Sequence, residues 1–321
     1  EAPFPDLDAP TREEVVQRTG EQIMHRIGQN MLVMPTGLTS LALLAQSKAG
    51  IKMDVLKERV QRLLAALKRV HTPAAHSLTH DTWSLKRTLE RLERRRLIQR
   101  VDLGDDSVIQ VTPDRRVSLE YYKNGVLHHI APMSLMAAAI RAYRHKFTDD
   151  ARVGFDHAAM ADIQSLFANQ VFWLRYDFTL DPNQDVETLG REALDQLSAY
   201  GAIHLDASGI SIDRRERVVE LAELTRNLLE SSRLTLSGCR ALKTRDLDAR
   251  SMPAALQTLG ETLLELGDIK RPEALSLVNL KNAVRALKEE GLLAFKTDGS
   301  GLSLDETTIR EREAELNRLL N

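Results

Sequence analysis

The chain of 321 residues is poor in several features that would place a protein in a function class. A single cysteine, Cys239, excludes an intrachain disulfide and a cysteine-based zinc cluster, which fits a reducing compartment. No histidine can be named as its partner, so a small buried or surface thiol is preferred over a nucleophile. Aromatic residues make up 4% of the chain against 43% hydrophobic, so the core must be built from Leu, Ala, Val and Ile, as in helical proteins. No run of eighteen apolar residues is present. Residues 30–46 are interrupted by Pro35, Thr36, Gly37, Thr39 and Ser40, and residues 125–140 contain His128, His129 and Pro132, so no bilayer span is expected. Both segments are read as buried core, with a place at a membrane surface as the alternative. No glycine-rich phosphate loop and no metal-ligand spacing occurs, and neither cofactor nor metal is expected. The formal net charge of −2 supplies no overall field for nucleic acid.

The length suffices for two or three domains. Residues 1–10 carry three prolines and three acids and read as a linker within a longer chain, placed at 1–11. Residues 12–30 have helical spacing in Val15, Val16, Ile23, Met24 and Ile27, with Thr11 and Glu14 as a capping box. A short apolar helix is expected over 39–48 and a stronger one over 53–70, with Val55, Leu56, Val60, Leu63, Leu64 and Leu67 on one side. Residues 71–80 read as a loop broken by Pro73, and Asp81 or Thr82 opens a basic helix to about Leu97.

One pattern then recurs three times. Leu92, Arg96, Leu97 and Ile98 precede a polar turn at 104–106, an apolar strand at 108–111 and a helix. Leu197, Gly201, Ala202 and Ile203 precede a turn at 207–209, Ile210 and Ile212, and a helix over 214–229. Leu287, Gly291, Leu292 and Leu293 precede a turn at 298–301, Leu302 and Leu304, and a helix over 306–320. Helix, short hairpin and helix is the order of a winged-helix-like unit. The expected architecture is mainly α with short β-hairpins, as three winged-helix-like modules packed in series over 12–148, 149–235 and 236–321.

The helix of the first unit is strongly basic. Lys86, Arg87, Arg91, Arg94, Arg95, Arg96 and Arg100 stand against Glu90 and Glu93, a balance that suits phosphates. A solvated face with Glu–Arg pairs is the plain reading of this stretch. A winged-helix protein that binds nucleic acid is the competing one, opposed by acidic or mixed equivalents around 185–199 and 283–290 and by the overall charge.

Residues 121–138, YYKNGVLHHIAPMSLMAA, mix aromatics, a cation, an amide and a histidine pair with an apolar run broken by proline. Tyr121, Tyr122, Lys123, Asn124, His128, Pro132, Ser134 and Leu135 resemble a pattern in the C-terminal region of the bacterial-type, membrane-associated glycerol-3-phosphate 1-O-acyltransferases. The LALLA run at 41–45 and FWLRYD at 172–177 are similar to further family segments in the same order. The resemblance implies a parent enzyme of phospholipid synthesis that transfers an acyl group from acyl carrier protein or coenzyme A to the sn-1 hydroxyl of glycerol 3-phosphate. It implies a peripheral location on the cytoplasmic face of the bacterial inner membrane. This chain has no counterpart of the family's catalytic domain, so it is expected to support that domain by packing, membrane association or carrier docking. The implied partners are the upstream catalytic domain, an acidic acyl carrier protein or an anionic membrane surface, with Lys86, Arg87, Arg91, Arg94, Arg95 and Arg96 as contacts. Nucleic acid is not an expected partner.

Tyr121, Tyr122, Lys123, Asn124 and His128 are read as fixing a helix start by aromatic packing and by bonds from Asn124 and His128 to local backbone. Contact with an acyl chain or with the catalytic domain is the alternative. Phe172 and Trp173 are read as core. The family's His-x4-Asp catalytic spacing occurs at His76–Asp81, His145–Asp150 and His157–Asp162. None is followed by the family's downstream blocks, and coincidence accounts for them, so no catalytic residue is assigned.

Overall fold

Helical periodicity and helix-end chemistry account for most of the architecture. The computed structural model describes residues 8–46, 50–79, 84–104, 106–143, 157–178, 180–181, 183–206, 209–296 and 301–321. The first half runs α1 (Ala9–Gln29), α2 (Pro35–Leu44), β1 (Gly50–Lys52), α3 (Met53–Arg69), α4 (His76–Thr79), α5 (Leu85–Arg94), β2 (Gln99–Leu103), β3 (Asp106–Gln110), α6 (Pro113–Leu127), α7 (Ala131–Arg141) and α8 (His157–Trp173). The second half runs α9 (Val186–Ala199), β4 (Ile203–Asp206), β5 (Gly209–Ile212), α10 (Arg215–Ala222), α11 (Arg226–Ala241), α12 (Met252–Glu265), a 3-10 turn at Pro272–Leu275, α13 (Leu277–Glu289), β6 (Leu293–Phe295), β7 (Leu302–Leu304) and α14 (Glu306–Leu320). The chain is thus mainly helical with a few short antiparallel strand pairs.

Asp8, not Thr11, caps α1, accepting a bond from the Thr11 backbone N–H at 2.8 Å. α2 starts at Pro35 rather than Thr39, because proline at the first helical position gives up no needed N–H. α3 follows its apolar period and buries Leu56, Val60, Leu63 and Leu67, each contributing about 2 kcal/mol of burial. The expected loop 71–80 contains the short helix α4, while Asp81, Thr82 and Trp83 lie outside the described residues.

Two helices organise the interior. α2 is buried from Gly37 to Leu44 and packs on α6, α3 and α5. Its approach to α6 requires glycine: a Cβ on Gly37 would sit 2.7 Å from Val126 Cγ2 and 3.0 Å from the Tyr122 carbonyl. α7 is buried at every position and packs on α8, α9, α10 and α14. A hydrophobic core built around these helices extends from Val33 to Leu320.

The threefold pattern recurs at the level of individual bonds. In α5, Arg96 N–H bonds Glu93 O and Leu97 N–H bonds Leu92 O; in α9, Gly201 bonds Ser198 O and Ala202 bonds Leu197 O; in α13, Gly291 bonds Lys288 O and Leu292 bonds Leu287 O. This is the Schellman helix end, which needs a left-handed residue. Gly201 (φ 73°) and Gly291 (φ 72°) fill that slot, but the first unit uses Arg96 (φ 56°). Each helix end is followed by an antiparallel hairpin: β2–β3 pairs Arg100 with Ile109, β4–β5 pairs Leu205 with Ile210, and β6–β7 pairs Leu293 with Leu304. Among the described residues only the first hairpin gains a third strand, β1, in the order β1-β3-β2.

Two expected boundaries move. The basic helix ends at Arg94, since the left-handed Arg96 stops it and residues from Gln99 join β2. The helix expected over 214–229 is two helices, broken at Glu223–Thr225. Polar groups from elsewhere in the fold take up the backbone at this break. Lys123 Nζ donates to the Leu224 carbonyl at 2.8 Å, and Ser134 Oγ donates to the Leu221 carbonyl at 2.7 Å.

Candidate functional site

The stretch 121–138 is divided by helical phase into an inward and an outward set. On α6, residues 116, 119, 120, 123, 126 and 127 are buried, whereas 117, 121 and 124 are exposed. Lys123 is 2% exposed. Its Nζ reaches the Leu224 carbonyl, Asn227 Oδ1 at 3.1 Å and the Glu120 carboxylate at 2.8 Å, while Asn227 Nδ2 donates to Glu120 at 2.9 Å. Burial pushes the Glu120 carboxyl upward, and the Lys123 ammonium opposes it. A buried lysine is thus matched with a carboxylate, an amide and a carbonyl, and ties α6 to the α10–α11 break.

The outward set lies differently from the expected packed start of a helix. Tyr121 is 79% exposed and meets Tyr122 edge-on at 5.5 Å, Asn124 is exposed, and the Tyr122 hydroxyl accepts a bond from Arg95 Nη1 at 2.8 Å. His128 bonds the Gly28 carbonyl at 2.9 Å, and His129 bonds the Met31 carbonyl at 3.3 Å. The His128 contact is made to backbone 100 residues away rather than nearby. The two rings sit 3.8 Å apart. Burial, then the neighbouring His128, push His129 down to about 4, so it is neutral near pH 7. The histidines therefore pin the connection between α1 and α2 onto the end of α6. Beside them Met31, Leu32, Met34, Tyr121 and Tyr122 form a groove of about 540 Å³. The preceding helix α1 also exposes apolar side chains: Val16, Ile23, Met24 and Ile27 are all more than half exposed.

α5 buries Thr88, Leu89 and Leu92, which leaves Lys86, Arg87, Arg91 and Arg94 on its outer side, followed by exposed Arg95 and Arg96. Among the described residues the expected Glu–Arg pairs are absent from α5: Arg94 Nε points to the Glu90 backbone carbonyl at 3.4 Å, not to its carboxylate. Beyond the end of α5 lies a cavity of about 610 Å³, lined by Arg96, Arg100, Thr112, Asp114 and Arg115 among others.

A buried ionic cluster escapes sequence reading. Glu223 accepts from Arg141 at 2.6 Å, Arg226 at 3.1 Å and Arg271 at 2.5 Å. Arg226 also pairs with Glu230 at 2.8 Å, and Arg116 with Glu273 at 3.0 Å. Burial pushes the Glu223 carboxyl upward, but Arg141, Arg226 and Arg271 outweigh it and hold the group at about 2. Nearby, Glu220 joins Arg59 at 2.9 Å and Arg62 at 3.2 Å, and accepts from the Tyr200 hydroxyl at 2.7 Å. The one available signal is in α11, where Arg226, Asn227, Glu230 and Ser231 fall at the spacing of a single helix face, and that face is buried.

The remaining sequence candidates are structural or lie outside the described residues. FWLRYD joins the end of α8 to α13: Arg175 pairs with Glu290 at 2.9 Å, and Asn282 donates to Asp177 at 2.9 Å. Trp173 is buried, but Phe172 is 49% exposed, with the Arg175 guanidinium 4.4 Å from its ring centre. Burial pushes the Cys239 thiol up to about 12, which removes thiolate chemistry. Of the His-x4-Asp pairs, Asp81, His145 and Asp150 and the side chain of His157 lie outside the described residues, and Asp162 accepts from the Tyr143 hydroxyl at 2.5 Å. Among the described residues no helix is long and apolar enough to cross a membrane.

A family model described as the glycerol-3-phosphate acyltransferase C-terminal region matches residues 1–296. A glycerol-3-phosphate acyltransferase of Aeromonas hydrophila subsp. hydrophila is 26% identical over 295 residues, 90% of this chain and 34% of that protein. One of Shewanella loihica is 26% identical over 193 residues (60% of this chain, 22% of that protein), and one of Pseudomonas fluorescens is 24% identical over 153 residues (47% and 18%). The chain spans about a third or less of the length of these relatives. The nucleic-acid reading gains no support from them.

Proposed function

The chain belongs to the family of glycerol-3-phosphate acyltransferase C-terminal regions, and from that premise we propose that it is a non-catalytic support of the enzyme. The whole protein, by the names of its relatives, transfers an acyl group to glycerol 3-phosphate; in this reading the acceptor is the sn-1 hydroxyl, the donor is acyl carrier protein or coenzyme A, and the setting is phospholipid synthesis. We read its three helix–hairpin–helix repeats as winged-helix-like modules at 12–148, 149–235 and 236–321; their shared helix ends support this division.

One observation carries the supporting role. Arg95, at the end of the basic row, bonds the hydroxyl of Tyr122, which itself lines the apolar groove. Cations and apolar surface are therefore contiguous, the pairing suited to a partner with both an anionic and an apolar part. In this reading the exposed face of α1 and the groove pack on the catalytic part of the enzyme. Lys86, Arg87, Arg91, Arg94, Arg95 and Arg96 face anionic lipid of the inner membrane or an acidic acyl carrier protein.

The test uses the whole protein and this chain side by side. Acyl transfer from an acyl thioester to glycerol 3-phosphate is expected from the whole protein and not from the chain alone. Reversing charge at Arg94, Arg95 and Arg96 in the whole protein should weaken binding to anionic vesicles or to acyl carrier protein. Transfer by the chain alone, or binding of both partners unchanged by the reversal, overturns the reading.

A further inference from the structure

We propose that the cavity where the ends of α7 and α14 meet the starts of α10 and α11 binds a small phosphomonoester, its phosphoryl group held by Arg226 at the floor and by Arg215 and Lys270 at the mouth. The site shares no residue with the α5 row or the apolar groove, and it does not depend on the supporting role proposed above.

Three observations meet there. First, the charges do not balance. The cavity, of about 250 Å³, is lined by four cationic side chains, Arg141, Arg215, Arg226 and Lys270, against one carboxylate side chain, Glu223. Both Glu223 oxygens are taken, Oε1 by Arg141 and Arg226 and Oε2 by Arg271. Behind the lining, Arg271 and Glu230 bring one charge of each sign. The lining therefore holds a positive excess of three, and an α-carboxylate at Asn321, which also lines it, leaves two. Second, donors face the space unbonded. Arg226 is only 7% exposed; its Nε is bonded to Glu230 and its Nη1 to Glu223, whereas Nη2 makes no hydrogen bond among the described residues and is not closed to solvent, so it opens on the cavity that Arg226 lines. Arg215 and Lys270 are exposed, and among the described residues no ion pair or hydrogen bond engages their side chains. The Lys270 backbone N–H bonds Glu230 at 3.2 Å, which fixes that residue beside the cluster. Third, the field is already seen to hold an anion: burial alone would raise the Glu223 carboxyl, yet its arginines keep it at about 2.

The shape and charge select the ligand class. Ile212, Val218, Val219 and Leu320 wall the cavity with apolar surface, which lowers the local dielectric and strengthens each charged contact. The volume falls below the roughly 300 Å³ at which pockets for drug-sized ligands begin, so a small phosphomonoester fits better than a nucleotide. A dianionic phosphoryl group matches the excess, whereas a single carboxylate leaves most of it unbalanced, and guanidiniums donate to phosphoryl oxygens in parallel pairs.

The phosphoryl group has two sources, a soluble phosphomonoester or a lipid headgroup, and the experiment separates them. The full chain is titrated by calorimetry with inorganic phosphate and, as the carboxylate control, with acetate. It is also sedimented with phosphatidylcholine vesicles with and without phosphatidate, with inorganic phosphate as competitor. Saturable phosphate binding, tighter than acetate binding, is expected, and Arg215→Gln with Lys270→Gln should weaken it about tenfold or more. Both side chains are exposed and unpaired, so this double variant should melt with the native chain, but phosphate should raise the melting temperature of the native chain alone. Arg215→Lys with Lys270→Arg keeps the charge and should retain binding. Arg87→Glu with Arg91→Glu, outside the cavity, should leave phosphate binding intact whatever it does to vesicle or carrier binding. Vesicle binding that needs phosphatidate, is displaced by phosphate and is lost in the Arg215→Gln, Lys270→Gln variant assigns the site to a headgroup; phosphate binding without it assigns the site to a soluble ligand. No saturable phosphate binding by the native chain, acetate bound as tightly as phosphate, or phosphate binding unchanged in the Arg215→Gln, Lys270→Gln variant overturns the proposal.

Discussion

Two arginine-rich regions of this molecule have opposite characters. Around Glu223, the guanidiniums of Arg141, Arg226 and Arg271 are buried and converge on one carboxylate, while Glu230 and Glu273 take up neighbouring arginines. On α5, Lys86, Arg87, Arg91 and Arg94 are exposed on one side of the helix, and among the described residues no ion pair joins them to Glu90 or Glu93. The residue type is the same, but in the first region charge is spent internally on joining helices α7, α10 and α11. In the second it stays at the surface, unpaired with any carboxylate among the described residues. Abundance of arginine therefore says little about function until pairing is known.

The strongest break of this comparison is Glu223→Gln. It leaves three buried guanidiniums facing an amide, and denaturant unfolding should show a loss of about 3 to 5 kcal/mol. A loss under 1 kcal/mol would mean that the cluster is dispensable to the fold.

Acid should reach the buried region by titration. The Glu223 carboxyl sits at about 2 in the fold against an ordinary 4.5. Its contribution is present above about pH 4.5 and fades as pH falls toward 2, a loss of about 3 kcal/mol. His129, held down to about 4 from 6.5, loses its contribution earlier, between those two values. Glu120 and Glu230 are pushed upward by burial and so favour folding slightly as pH drops toward the ordinary range, opposing that early loss. Stability measured against pH should thus fall most steeply below pH 4.5, and Glu223→Gln should flatten that limb.

The exposed region should respond least. Arg91→Glu with Arg94→Glu is expected to change unfolding free energy by no more than about 0.5 kcal/mol. A loss above 2 kcal/mol in the same unfolding experiment would show that α5 is structurally committed and would remove the contrast.

Helix periods, the three hairpin repeats and the family pattern were legible because each is written within a few residues. Leu56, Val60, Leu63 and Leu67 declare the buried face of α3 at four-residue spacing. The glycines of the second and third units declare their helix ends. The break at Glu223–Thr225 was not legible, since residues 214–229 carry a continuous helical pattern and their interruption is secured by Lys123 and Ser134 from α6 and α7. Nor was the role of Lys123, which stands in sequence beside exposed Tyr121 and Asn124 and differs from them only in helical phase.

The sequence by itself determined that the chain is mainly helical, that one unit recurs, and which family it belongs to. Tertiary structure alone decided which charges are buried in pairs and which lie exposed at the surface. Periodicity and turn chemistry act between neighbours, whereas the bonds of Glu223 to Arg141 and Arg271 close separations of 82 and 48 residues. Contacts at such separations exist only once the helices between them have packed.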